Sequence, residues 1–264
     1  MATEGELRNG LKARVFGSKI YTFDTIDSTN NCARVLAGCW APEGTVVFAE
    51  QQTAGKGRLG RSWFANPREN LTFSIILRPM GAAETLNVLP LCVGVALAEA
   101  IERSTGLEVV CKWPNDILID GKKAAGILIE GSLRESTIDF VVVGIGLNVN
   151  QQTFAPEIAS KATSLALAAG REFDRVRIFQ DILSSLERHY RRVRQKGFDE
   201  IVPLWMSKSR MVGSRIAVSQ NGTVLTGTVK GLTSHGELLL DHDGEERAFL
   251  AGDVTILEHA FMSH

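Results

Sequence analysis

Residues 55–61 read Gly-Lys-Gly-Arg-Leu-Gly-Arg, so Gly55, Gly57 and Gly60 are interleaved with Lys56, Arg58 and Arg61. Glycine lets a backbone wrap closely around a ligand. Cations set between backbone N–H donors suit an anionic group such as a carboxylate or phosphate. The segment is not a P-loop, because that motif follows its lysine with Ser or Thr and here Gly57 follows Lys56. The plainer alternative is a flexible basic loop.

Four further segments have chemical potential. Lys112-Trp113-Pro114-Asn115-Asp116 places polar side chains after a strand that Pro114 must end; Pro-Asn-Asp is also plain turn chemistry. Lys122-Lys123-Ala124-Ala125-Gly126 sets two lysines ahead of small residues that admit a ligand to the backbone, or marks a solvated hairpin tip. Val143 to Asn150 holds Gly144-Ile145-Gly146 after a strand. A dinucleotide fingerprint needs a third glycine where Val149 stands, and no helix begins there, so that fold is excluded. Asp27-Ser28-Thr29-Asn30-Asn31 precedes a helix through Ala33 to Ala37. Ser28 or Thr29 serves as its cap, and a cap can also present a hydroxyl to a ligand.

Strands and helices must position these segments. Strands are expected at Thr45–Phe48, Leu71–Leu77, Val109–Lys112, Ile117–Ile119, Ala125–Glu130 and Asp139–Val143, with a turn at Gly121-Lys122. Helices are expected over Leu89–Ile101, stopped by Gly106, and from Asp174 to a stop at Gly197. The second helix carries Arg188, Arg191, Arg192, Arg194 and Lys196 on one face, which reads best as a solvated basic face. From Gly213 to Leu257 the pattern changes to short strands at Arg215–Ser219, Thr223–Leu232, Glu237–Leu240 and Arg247–Leu250, with hairpin signals at Asn221-Gly222 and Asp243-Gly244. A small β-barrel is expected there, and a boundary near Ser207–Val212 divides the chain into 1–210 and 211–264.

At 264 residues the chain can bury a large core. With 44% hydrophobic and 22% charged residues it has the balance of an ordered globular protein. The net charge of −1 gives no general footprint for nucleic acid or an anionic membrane. No apolar run is long enough to span a membrane, and Met1–Gly10 lacks the design of a signal peptide. Cys32, Cys39, Cys92 and Cys111 form no C-x-x-C pair, which favours buried free thiols and a cytoplasmic setting. The five histidines show no zinc spacing, and the sequence names no metal ligands.

Taken together and in order, five segments resemble the biotin protein ligase family. They are DSTN (Asp27–Asn30), QTAGKGRLGRSW (Gln52–Trp63), KWPND (Lys112–Asp116), KAAGILIE (Lys123–Glu130) and GIGLN (Gly144–Asn148). The resemblance implies an α+β fold: a mixed sheet with flanking helices like the class II aminoacyl-tRNA synthetase core, followed by a small SH3-like β-barrel. It implies that biotin and ATP, with Mg²⁺, form biotinyl-5′-AMP, and that the biotinyl group then passes to a lysine of a biotin carboxyl carrier domain, as in acetyl-CoA carboxylase. Ser28, Thr29, Asn30 and Gln52 match residues that bind biotin, as do Lys56, Gly57 and Arg58 in the closing loop. Lys123 matches a lysine at the biotin carboxylate and reacting phosphate, and Gly126 a position of close approach to biotin. Trp63 and Asn148 match positions near adenine. Arg61, Lys112, Asn115 and Asp116 match the surroundings of the phosphates, with Asp116, Lys123 and Arg58 closest to the chemistry. Lys56 departs from the family's usual arginine. The segment before Asp27 is too short for the helix-turn-helix domain of members that act as repressors, so no specific DNA partner is expected. Monomer and homodimer stay open. Two competing functions are a lipoate ligase or octanoyl transferase, opposed by the basic glycine loop and KWPND, and a non-catalytic biotin sensor, opposed by Lys123 and Asp116.

Overall fold

The computed structural model describes residues 2–79, 85–134, 137–220 and 222–258. Seven strands form the first sheet: β1 (Ile20–Ile26), β2 (Val46–Gln52), β3 (Leu71–Leu77), β4 (Val110–Lys112), β5 (Asp116–Ile119), β6 (Lys122–Arg134) and β7 (Thr137–Leu147). Their spatial order is β1-β2-β3-β7-β6-β5-β4. β1 and β2 run parallel and every other neighbouring pair is antiparallel, so the sheet is mixed as expected. The helices are α1 (Glu4–Arg8), α2 (Thr29–Gly38), α3 (Thr85–Thr105), α4 (Pro156–Ala159), α5 (Leu165–Ala169), α6 (Arg175–Lys196) and α7 (Ile201–Ser207). A second sheet follows: β8 (Arg215–Gln220), β9 (Thr223–Leu232), β10 (Leu238–His242), β11 (Glu245–Phe249) and β12 (Asp253–Glu258).

The two faces of the first sheet differ because side chains alternate along a strand. One face is apolar from end to end: Phe73, Ile75 and Leu77 of β3 and Val141, Val143, Ile145 and Leu147 of β7 all enter the main core beneath α3 and α6. Phe179 of α6 meets Phe48 and Phe73 edge-on, at centroid distances of 5.6 and 5.0 Å. On the opposite face, α2 packs Ala33 and Ala37 against Val47, Ile76, Phe140 and Val142. α2 covers only that end of the face. The other end carries Thr72, Ser74, Gly144, Gly146 and Gly126, which the register aligns as Thr72↔Gly146, Ser74↔Gly144 and Gly126↔Gly146. A shelf without bulky side chains is left beside the α2 N-terminus.

Caps and turns follow the sequence signals. Asp174 accepts from the backbone N–H groups of Val176 and Arg177 at the start of α6, and Gly197 ends that helix at φ 80°. Gly106 follows α3 at φ 78°. Arg188, Arg192, Arg194 and Lys196 of α6 each reach a carboxylate, in keeping with a solvated basic face. The β5–β6 hairpin turns on Asp120-Gly121, one residue earlier than expected; both have positive φ, the requirement of a tight two-residue turn. Asp243-Gly244 turns β10 into β11 in the same way. Asn221 lies outside the described residues, while its neighbours Gln220 and Thr223 pair across β8 and β9.

Several expectations need correction. The second sheet is antiparallel in the order β11-β10-β9-β8-β12, and β11 and β12 do not pair with each other. The expected barrel is therefore not closed among the described residues. The elements α1, α4, α5, α7, β1 and β12 were not expected; the four helices among them are of four to seven residues and leave little periodicity to detect. β6 and β7 extend well beyond the expected bounds, since glycine and polar residues on the shelf face broke the apolar run. Cys92 and Cys111 are buried, and burial pushes their thiols up to about 12. Cys39 is exposed and Cys32 half-buried, so the buried-thiol expectation fails for these two.

Candidate active site

The uncovered shelf is the floor of a cleft. Every expected site residue lines it except Lys112 and Asn148. Three glycines make the floor possible. A Cβ on Gly144 would lie 2.2 Å from Asn30 Oδ1, and one on Gly146 would lie 2.3 Å from the Trp63 ring. A Cβ on Gly126 would lie 3.2 Å from both Trp63 and Lys123. The G-x-G spacing thus serves a strand period of two, putting both glycines on one face.

The α2 N-terminus forms one wall. Ser28 occupies the cap position without a capping side-chain bond, contrary to the simplest expectation. Thr29 instead donates its N–H and hydroxyl to Gln52 Oε1, at 2.7 and 3.0 Å. Ser74 Oγ lies 2.7 Å from Thr29 Oγ1 and 2.6 Å from Asn30 Oδ1. Asn30 Nδ2 donates to Glu130 Oε2 at 2.7 Å, and Arg34 holds the other Glu130 oxygen at 2.5 Å. Asn30 is therefore fixed by partners within the protein, whereas the Gln52 amide nitrogen is not used by Thr29.

The glycine loop forms the roof and is ordered. Trp63 N–H donates to Gly55 O at 2.9 Å and Gly57 N–H to Arg61 O at 2.7 Å. Lys56 and Ser62 form a bridge. A Cβ on Gly55 would strike Trp63 O at 2.4 Å, so this hairpin requires glycine there. Leu59 turns the tip at φ 53° and is exposed. Lys56 Nζ donates to Asn31 Oδ1 at 2.6 Å, and Asn31 in turn donates to Asp27 at 2.6 Å. The bond from Asn31 and the Ser28 N–H hold the Asp27 carboxyl below its usual range. Arg58 reaches Asn115 Oδ1 at 3.3 Å and Gly252 O at 3.4 Å, and Arg61 pairs with Asp253.

The third wall comes from β5 and β6. Lys123 Nζ lies 2.6 Å from Asp116 Oδ1 and 5.7 Å from the centre of the Trp63 ring. Asn115 is clamped to β6, donating Nδ2 to Ile127 O at 2.7 Å and accepting the Ile127 N–H at 3.0 Å. Trp113 is buried, donates Nε1 to Gly236 O at 3.0 Å and thereby ties this loop to the second sheet. Lys112 pairs in register with Asp116 and so shares its sheet face. Burial lowers the Lys112 pKa, Asp116 opposes that, and Lys123 adds to it. Lys112 is outside the cleft lining but within electrostatic reach of Asp116, Lys123, Asp253 and Arg61. Asn148 is buried outside the lining, with Nδ2 on Thr163 O at 3.0 Å and Oδ1 without a hydrogen-bond partner among the described residues.

Asp253, Ser74 and Thr72 lay outside every motif, while Glu130, Gly144 and Gly146 lay within the motifs without a role assigned to them. The two glycines and the β3 pair carried a signal: they share one strand face with small or polar residues while the intervening residues are apolar. Asp253 had none, since it reaches the cleft only through packing of the second sheet. Among the described residues the lining holds no cysteine or histidine. Among the described residues no group of three His, Cys, Asp or Glu suits a metal ion. The cleft gathers four cations, Lys56, Arg58, Arg61 and Lys123, with Lys112 outside the lining but within electrostatic reach. It is built to hold two anions together and to stabilise charge that moves between them.

Comparison with known proteins gives the same direction. Residues 22–148 match the Biotin/lipoate A/B protein ligase family, and residues 212–257 match the Biotin protein ligase C terminal domain. The Bifunctional ligase/repressor BirA of Bacillus subtilis is 39% identical over 257 residues, covering 96% of this chain and 79% of the relative. The Biotin--[acetyl-CoA-carboxylase] ligase of Mycobacterium tuberculosis is 34% identical, covering 81% of this chain and 80% of the relative. Among solved structures, the biotin protein ligase from Aquifex aeolicus in complex with biotin and ATP superposes with a TM-score of 0.79 at 30% identity, covering 91% of this chain and 99% of that one.

Proposed function

This chain belongs to the biotin/lipoate A/B protein ligase family, and from that premise we propose that it activates biotin with ATP and transfers it to a lysine of a biotin carboxyl carrier domain, that of acetyl-CoA carboxylase or a related enzyme. The observation that carries this is the convergence of Lys123, Asp116, Arg58 and Arg61 over a glycine floor beside the α2 N-terminus.

In the first step a biotin carboxylate oxygen attacks the α-phosphorus of ATP, the bond to the bridging oxygen breaks, and pyrophosphate leaves. Both reactants are anions. Lys123, at the centre of the cleft, holds the carboxylate against the α-phosphate and offsets their repulsion. Arg61 and Lys112 draw charge toward the departing phosphates. Asn115 keeps Arg58 aimed across the cleft. Ser28, Thr29, Asn30 and Gln52 frame the biotin ring, with the Gln52 amide nitrogen as a donor. Lys56, Gly57 and Arg58 close over the ligand, and the bare backbone at Gly126 lets biotin lie flat. Trp63 stands between biotin and adenine, and Asn148 supports the adenine side from below.

In the second step the carrier's lysine amine, in its neutral form, attacks the biotinyl carbonyl. The bond to the phosphate oxygen breaks and AMP leaves, with the amine proton passing to solvent or to nearby Asp116. The enzyme forms no covalent bond, so rate comes from placement and charge. Exclusion of water by the glycine loop protects the mixed anhydride. Mg²⁺ fits as an ion held chiefly by nucleotide phosphate oxygens, with Asp116 the carboxylate at hand, and when bound it spreads the phosphate charge.

The division into 1–210 and 211–264, a cytoplasmic setting and the absence of a specific DNA partner belong to the same proposal, which leaves monomer or homodimer open. No helix among the described residues is long and apolar enough to cross a membrane. The test is incubation with biotin, ATP, Mg²⁺ and a carrier domain, followed by mass measurement of the carrier. A gain of one biotinyl group on one lysine supports the function. No gain, or a gain only when lipoate replaces biotin, refutes it.

A further inference from the structure

The second sheet reaches into the cleft at one place, the β11–β12 connection. Gly252 is buried there against β8: a Cβ would lie 2.8 Å from Val218 Cγ1 and 3.2 Å from Ser219 O. The next residue, Asp253, is fixed by its pairing with Ser219 as β12 begins. From this anchored position Gly252 offers its carbonyl to Arg58 at 3.4 Å, and Asp253 takes the Arg61 guanidinium. Asp253 lines the cleft although it lies 192 positions from Arg61 in the chain.

The pair has an electrostatic reason. Burial lowers the Arg58 pKa, and Arg61 from the same short loop lowers it further. Lys112 feels the same repulsion from Arg61 and from Lys123. Cations so crowded would splay into solvent if nothing held them. Asp116 steadies Lys123 from within the first sheet. Asp253 stands in the corresponding relation to Arg61, and its charge also favours the cationic forms of Arg58 and Lys112.

We propose that Asp253 is a positioning residue for nucleotide binding: it holds Arg61 toward the cleft while the site is empty, so that the guanidinium meets the ATP phosphates without first being ordered. The second sheet is then part of the nucleotide site. This rests on the assignment of Arg61 to the phosphates made above. Because the ion pair of Asp253 is with Arg61, its loss weakens ATP binding and leaves biotin binding within about twofold. Arg61 is largely exposed, so the gain from holding it is that of a surface ion pair, about three- to fivefold in affinity.

The experiment is a double-mutant cycle on the full chain with Asp253→Asn and Arg61→Gln, read as pyrophosphate release at varied ATP and varied biotin. Asp253→Asn is expected to raise the KM for ATP about three- to fivefold and to keep that for biotin within about twofold. In the Arg61→Gln background the same change should have no further effect, and Asp253→Glu should restore most of the loss. An undiminished Asp253→Asn effect without Arg61 overturns the proposal. So does a joint rise of both KM values with a lowered melting temperature, the mark of a merely structural role. An unchanged ATP KM in Asp253→Asn also overturns it. If Arg61→Gln alone leaves ATP binding intact, the phosphate assignment has failed and this proposal falls with it. If the parent protein releases no pyrophosphate with biotin and ATP, the ligase function itself has failed, which the carrier mass measurement detects separately.

Discussion

Replacing Lys123 by alanine separates catalysis from folding. The ammonium sits 2.6 Å from Asp116 Oδ1 over the glycine floor, where two bound anions would meet. Removing one charged group that stabilises developing charge typically costs about 3–4 kcal/mol in the transition state, or a factor of roughly 10²–10³ in rate. Arg58, Arg61 and Lys112 remain, which keeps the loss near that range. The structural cost is smaller. Lys123 and Asp116 side chains are 38% and 20% exposed, so the pair is worth about 0.2–1 kcal/mol to stability. For a chain of this size that lowers the melting temperature by only about 1–3 °C. The assay is pyrophosphate release at saturating biotin and ATP, beside a thermal melt. A second arm supplies synthetic biotinyl-AMP and measures transfer to the carrier, which should fall less than adenylate formation. A rate within about threefold of the parent would refute the role of Lys123. Equal losses in both arms would place its action in binding rather than activation.

Gly146→Val should raise the KM for ATP at least about tenfold, because the added Cβ lies 2.3 Å from the Trp63 ring and displaces it; an unchanged KM would mean that Trp63 has no part in the nucleotide site. Lys112, its pKa lowered by burial, loses its charge as pH rises through a value below the ordinary lysine range. Adenylate formation should therefore fall early on the alkaline side, and Lys112→Arg should move that limb upward; a limb unmoved by the substitution assigns it elsewhere. Arg175→Met leaves the Glu50 carboxylate, 1% exposed, without its counter-charge, at about 3–5 kcal/mol and roughly 6–15 °C in melting temperature. Burial raises the Glu50 pKa, but the bonds from Arg175 and the Ala2 N–H outweigh it and the net shift is downward. The parent's stabilisation from Glu50 is thus present above the ordinary carboxylate pKa and fades as pH falls through the lowered value. The difference in melting temperature between parent and variant should shrink in acid; a constant difference would contradict this origin.

The sequence by itself determined the local chemistry. Alternating cations and glycines in 55–61, the strand-ending Pro114, and hairpin dipeptides such as Asp243-Gly244 act through near neighbours, so their signals survive in one dimension. The apolar face of the main sheet was equally legible, because burial repeats every second residue along β3 and β7. The five ordered motifs named the site residues, and thirteen of those fifteen line one cleft. Tertiary structure decided what long-range packing controls. It made Gly144, Gly146 and Gly126 a floor, because cross-strand register places them under Asn30, Trp63 and Lys123. It fixed Asn30 between Ser74 and Glu130 and left the Gln52 amide nitrogen free of Thr29, a division no spacing reveals. It kept Lys112 and Asn148 out of the cleft lining. It also delivered Asp253 from the far end of the chain to Arg61, for a charge held by the packing of two sheets leaves no trace in the order of residues.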